Sequence, residues 1–136
     1  GGKYVAPQKL ENKIKVLCPY VSQALVHGNT RNFCTMLVTL DEEAILKWAE
    51  DAGLTNLSYQ ELTQNSHIPQ IIHPYIDLLN EGLSSYETIK KFAILPSDLT
   101  VESGEMTPSM KVKRKVVENK YKDILDGFYK ASMEKI

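Results

Sequence analysis

Sulfur is scarce in this chain, with two cysteines among 136 residues. Cys18 and Cys34 lie in apolar settings with no CxxC spacing and no Cys/His cluster around them. A disulfide framework is therefore excluded, metal binding is not expected, and a reducing compartment is expected. No apolar run approaches the ~18 residues of a membrane-spanning helix. The Gly1-Gly2 start lacks the apolar stretch of a secretion signal, so a cytoplasmic location is expected. Six prolines and seven glycines are too few for a collagen-like or low-complexity chain. Net charge is nearly absent too, at −1. What is present, 43% hydrophobic and 24% charged residues, suits one soluble domain spanning residues 1–136 that buries roughly two-thirds of its unfolded surface.

The small net charge conceals an uneven distribution. From Asp41 to Leu62 six acids (Asp41, Glu42, Glu43, Glu50, Asp51, Glu61) stand against Lys47 alone. From Thr107 to Lys122 the balance reverses, with Lys111, Lys113, Arg114, Lys115, Lys120 and Lys122 against Glu118. Such separation points either to a solvated helix face or to an anionic ligand or acidic neighbour near the C-terminal end.

Residues 7–17 place Leu10, Ile14 and Leu17 at helical spacing, with Pro7 suited to the first turn and Pro19 stopping the run. Two strand-like runs, 21–27 and 33–40, flank Gly28-Asn29-Thr30-Arg31-Asn32 and predict an antiparallel hairpin in the middle of a small sheet. Asp41 caps a helix ended by Gly53. Ser58 and Glu61 have capping-box spacing, as do Ser84 and Glu87. Pro69 is expected to start a helix that Pro74 either kinks or truly begins. A strand is expected from Phe92 to Leu95. After a turn at 102–105, Ser109 is the expected N-cap of a long helix whose inner face carries Val112, Val116, Tyr121, Ile124, Leu125 and Phe128. Lys111 would sit at this loop-to-helix junction. The expected fold class is α+β, with about three strands and a short hairpin flanked by helices.

The sequence carries no self-contained catalytic motif. His27, His67 and His73 are scattered, with no HExxH, GxSxG or GxxxxGK[ST], and read as surface residues. Glu102 and Glu105 flank a turn and are expected to be solvated. No metal-ligating set is found.

Two Gly/Pro/Lys segments remain. The first, Gly2-x-x-Val5-x-Pro7-x-x-Leu10-Glu11, resembles the GxxIxPxEIE motif that opens the small C-terminal domain of the acyl-adenylate-forming enzymes, the superfamily of acyl-CoA synthetases, luciferases and peptide-synthetase adenylation domains. The second, Thr107-Pro108-Ser109-Met110-Lys111-Val112-Lys113-Arg114, is similar to the TPTLKLKR form of the long-chain fatty acyl-CoA synthetase branch. The two lie in order, about a hundred residues apart, and the resemblance covers essentially the whole chain.

The resemblance implies the C-terminal lid domain of a long-chain-fatty-acid–CoA ligase, which converts ATP, a fatty acid and coenzyme A to acyl-CoA, AMP and diphosphate. It implies ATP, Mg2+ and coenzyme A as ligands of the full enzyme and none of this domain alone, which is expected to be inactive without the large N-terminal domain of the same chain. Lys111 takes the place of the adenylation lysine. Gly2, with Lys3 and Tyr4, takes that of the loop that forms the pantetheine tunnel after the domain swings. Pro7, Glu11 and Arg114 take supporting loop or interface places. Met110 departs from the glycine that usually precedes the lysine, as the long-chain branch does. Because the substrate is a lipid, peripheral membrane contact of the full enzyme is an accompanying expectation. Two alternatives remain open: a fatty acyl-AMP ligase that passes its acyl group to a carrier protein, and an anion-binding interaction module. Nucleic acid is not an expected partner, because no aromatic residues interleave the basic cluster.

Overall fold

A computed structural model describes residues 5–28 and 31–134, and all structural statements concern these. Helix α1 (Pro7–Leu17) starts on a proline whose missing N–H is no loss at a helix N-terminus, and it buries Leu10, Glu11 and Ile14. Strands β1 (Val21–His27) and β2 (Cys34–Leu40) pair antiparallel, with a register shift between Val21 and Gln23. Three helices follow: α2 (Glu42–Asp51), α3 (Tyr59–Thr63) and α4 (His67–Asn80). Strand β3 (Ile89–Ile94) then returns parallel to β2, so the sheet order is β1-β2-β3. Helices α5 (Arg114–Lys120) and α6 (Lys122–Glu134) close the described chain. The expected α+β class is observed. β2 alone is interior, however, and β1 forms an edge rather than sharing the middle.

The sheet is packed on both faces, because β2 is buried at every position. Cys34, Met36, Val38 and Leu40 point into a core shared with α1, α2 and α4. Leu37 and its neighbour Leu25 point the other way, into a second core with Leu95, Leu99, Met106, Val117, Tyr121 and Leu125. This alternation follows from the two-residue period of a strand. Two threonines on the second face are also buried. Thr35 lies beside the Tyr129 hydroxyl, and Thr39 donates to Asp98 at 2.6 Å. Asp98 also accepts from Ser22 at 2.8 Å, which ties the chain leaving β3 onto the sheet. Both cysteines are buried free thiols, and burial pushes each above its usual pKa. No helix among the described residues is long and apolar enough to cross a membrane.

Several local expectations hold. Asp41 accepts from the Ala44 N–H at 2.9 Å, and Ser58 with Glu61 forms a reciprocal capping box. Others need correction. Helix α4 begins at His67, before Pro69, and runs through Pro74. Its buried stripe of Ile68, Ile72, Ile76 and Leu79 outweighs the hydrogen bond that proline cannot donate. Ser84 makes no side-chain cap, and only a 3-10 turn (Ser85–Glu87) follows it. β3 starts at Ile89 rather than Phe92. Its register shift pairs Cys34 with Ile89 and Thr35 with Lys91, so Lys90 falls outside the pairing and the apolar alternation is broken.

The long C-terminal helix is divided at Tyr121, and its buried stripe is Val117, Tyr121, Leu125 and Tyr129. Val116 and Ile124 are exposed instead. Ser109 caps nothing here, since α5 starts at Arg114.

Two glycines test this packing. A Cβ on Gly28 would stand 2.8 Å from the Cys34 Cα and 2.9 Å from its sulfur, whereas one on Gly127 meets nothing within 4 Å. Gly28→Ala should lower stability by about 1–3 kcal/mol. Gly127→Ala, inside α6, should raise it by about 0.5–1 kcal/mol. Urea denaturation of the two variants checks both signs.

Candidate functional site

The two segments singled out in the sequence meet in space. Glu11, on the buried side of α1, receives the Arg114 guanidinium at 2.8 and 2.9 Å through its two oxygens. The same carboxylate accepts the Val26 N–H at 2.6 Å, and Arg114 donates to the Val26 carbonyl at 3.0 Å. One backbone residue on the outer edge of β1 is thereby satisfied in both directions by a charged pair. Glu11 is 8% exposed. The pair joins α1, β1 and the start of α5 at one point.

Immediately before Arg114 the chain forms a tight hairpin. The Thr107 N–H donates to the Lys111 carbonyl and the Met110 N–H to the Thr107 carbonyl, both at 2.8 Å. Met106 and Val112 form an antiparallel bridge below them. Pro108 and Ser109 occupy the centre of the turn, and Met110 takes φ +67°. This is a type I turn followed by a left-handed residue, the three-residue hairpin loop in which glycine is preferred. A glycine before the lysine therefore has a conformational reason, and Met110 holds the same backbone at a cost. The Thr107 hydroxyl accepts the Lys111 N–H at 3.1 Å and lies 3.0 Å from the Ser109 hydroxyl. These bonds, rather than a helix cap, place residues 107–112.

Lys111 lies at the outer end of this hairpin, exposed, and among the described residues its ammonium forms no hydrogen bond or ion pair. It borders a groove of about 360 Å³ with Gln8, Asn12, Lys15, Gln23 and the Glu11–Arg114 pair. Pro7 begins α1, about one turn before Glu11. Gly2, Lys3 and Tyr4 fall outside the described residues. The remaining basic residues divide by contact. Lys113, Lys115 and Lys122 are exposed, while Lys120 is bound to Glu105 at 3.0 Å.

Glu105 was expected in solvent and is instead 1% exposed, its carboxylate held by Ser103 and Lys120. Its hydrogen bond pushes the Lys120 pKa up. No spacing rule joins an acid in a turn to a lysine at the far end of the next helix, so the sequence carried no signal for this pair.

The histidines stand apart from this groove. His27 contacts Glu118 at 2.6 Å, His67 lies by Asn65, and His73 pairs with Asp77. Among the described residues no group of three or more His, Cys, Asp or Glu side chains could hold a metal ion.

A three-stranded mixed sheet with helices on both faces matches the C-terminal domain of adenylate-forming enzymes. The family model described as AMP-binding enzyme C-terminal domain matches residues 1–133, and the chain belongs to that family. It is 38% identical over 130 residues to the long-chain-fatty-acid–CoA ligase FadD15 of Mycobacterium tuberculosis, covering 95% of this chain and 22% of that protein. It is 33% identical over 131 residues to long-chain-fatty-acid–CoA ligase 1 of Cavia porcellus, covering 94% of this chain and 18% of that one. The chain thus spans about a fifth of the length of these curated relatives. Among solved structures it resembles the A-PCP didomain of carboxylic acid reductase from Segniliparus rugosus in complex with AMP. The TM-score is 0.74 at 25% identity, over 98% of this chain and 17% of that one.

Removing the guanidinium would leave a buried carboxylate without its counter-charge. Arg114→Met should cost about 2–4 kcal/mol, and Arg114→Lys, which has one nitrogen where Arg114 uses Nη2 on Glu11 and Nη1 on the Val26 carbonyl, should recover less than half of it. A loss under about 0.5 kcal/mol in denaturant titration, the range of an exposed pair, would contradict this geometry. Met110→Gly relieves the left-handed strain and should raise stability by up to about 1 kcal/mol once the added freedom of the unfolded chain is subtracted.

Proposed function

We propose that this chain is the lid of a long-chain-fatty-acid–CoA ligase, acting with a large domain that holds ATP and the fatty acid. The observation that carries the reading is the Lys111 ammonium, unpaired among the described residues, on a preformed hairpin in a chain 38% identical to a ligase of that name. Attack of a carboxylate oxygen on the α-phosphate of ATP brings two anions together, forms the acyl-phosphate bond as diphosphate leaves, and builds negative charge on the phosphoryl oxygens. No proton need be transferred to or from the lid in that step. A cation on a flexible four-carbon stem draws the anions together and offsets the developing charge, a task for an ammonium point charge. Because in-line attack depends on placement to within about 1 Å, delivery of Lys111 by domain closure also serves as a gate.

The hairpin supplies the placement. Thr107 fixes the Lys111 backbone, and Arg114 on Glu11 fixes where α5 leaves the hairpin. No described cluster suits Mg2+, and no step here is routed through it. Gly2, with Lys3 and Tyr4, is proposed to line the passage for the pantetheine of coenzyme A after the lid turns, where a Cβ would intrude. The likeness to an A-PCP didomain favours a second reading, in which a carrier domain rather than coenzyme A accepts the acyl group. Competition by free coenzyme A separates the two.

With the large domain present, Lys111→Ala should slow acyl-AMP formation by about 100-fold or more while leaving thioester formation from supplied acyl-AMP nearly intact. Gly2→Leu should have the opposite pattern. Separate assays of acyl-AMP and acyl-CoA check both. Two variants that leave both steps unchanged would remove this assignment.

A further inference from the structure

Glu105 is a carboxylate that the reaction does not touch, yet it occupies the base of the hairpin that carries Lys111. Its side chain is 1% exposed. One oxygen accepts from the Ser103 hydroxyl, and the other accepts from the Lys120 ammonium at 3.0 Å. Its backbone is engaged on both sides as well. The Glu105 N–H donates to the Thr100 carbonyl at 3.2 Å, and its carbonyl accepts the Lys113 N–H at 2.8 Å. A single residue therefore grips the turn before the hairpin, the strand leaving it, and the last turn of α5. Residues 106–112 project from that grip.

Burying one carboxylate against a cation that is itself half exposed is a weak way to gain stability, because desolvation takes back much of the attraction. The arrangement does define direction. A charge-assisted bond from α5 to the hairpin base fixes the angle between them, and that angle sets where the Lys111 backbone, the root of its side chain, stands. An apolar residue at 105 would fill the same space without fixing it.

We infer that Glu105, through its bond to Lys120, is a positioning residue for Lys111 in acyl-AMP formation. The inference rests on the proposed role of Lys111 at the nucleotide. In the two-domain enzyme, Glu105→Gln and Lys120→Met should each lower kcat for acyl-AMP formation by about tenfold, with little change in KM for ATP, as misplacement of a reacting group does. Thioester formation from supplied acyl-AMP should stay within about twofold, since that step does not use the lysine. The double variant should be no worse than the poorer single one, because both remove the same contact. Lys120→Arg, which keeps a charged donor, should restore the rate. Amide exchange of residues 106–113 should quicken in both single variants, with α1 and β2 unchanged.

If Lys111→Ala cripples acyl-AMP formation but Glu105→Gln and Lys120→Met do not, the positioning role is overturned and the function of Lys111 stands. Equal loss of both steps together with a lowered melting temperature would make Glu105 merely structural, which also overturns it. A Lys111→Ala enzyme that adenylates normally overturns both the function and the inference.

Discussion

The paired contact between Arg114 and Glu11 is the constraint on which the rest of the site depends. Those residues lie at opposite ends of the chain, yet each also satisfies Val26, one through its N–H and the other through its carbonyl. The pair serves as a strand substitute along the edge of β1, leaving no open N–H or carbonyl of Val26 for another chain to pair with. It fixes where α1 sits, and it fixes where α5 begins. Since the hairpin ends where α5 begins, the position of Lys111 is inherited from a contact that Lys111 does not make.

A second layer of restraint lies within the hairpin. Thr107 and the backbone bonds of the turn determine the path of residues 107–111, and Met110 accepts a left-handed conformation to complete it. Between them the turn and the ion pairs spend the conformational freedom of the backbone while leaving that of the Lys111 side chain intact. The ammonium thus starts from a defined place and remains free to extend. That combination suits a group that must reach a ligand held by another domain, where both placement and reach matter.

Much of this fold was legible in the sequence, and the exceptions share a cause. Helix α1, the range of β1 and the caps at Asp41 and Ser58 are governed by neighbours within four residues, so spacing rules recover them. The start of β3 was not legible because a register shift displaces Lys90 and erases the period of two. Ser109 looked like a cap because it precedes a helical pattern. A bond between Thr107 and Lys111 and a bridge from Met106 to Val112 draw it into the hairpin instead. The division at Tyr121 has no proline or glycine beside it to announce it. Within the site, Lys111, Glu11 and Arg114 could be named from motifs, but the bond between the last two depends on chain folding over about a hundred residues. The Glu105–Lys120 pair had neither motif nor spacing to reveal it.

The central claim is that the amine of Lys111 leaves its own module to meet anions in a neighbouring domain. Amine-specific labelling, read residue by residue by mass spectrometry, tests this most directly. With the large domain, ATP and a non-reactive fatty acid analogue present, labelling of Lys111 should fall sharply relative to the ligand-free mixture, while Lys90, on the far edge of the sheet, should label as before. Equal labelling of Lys111 with and without the ligands, under conditions where both are bound, would contradict the account.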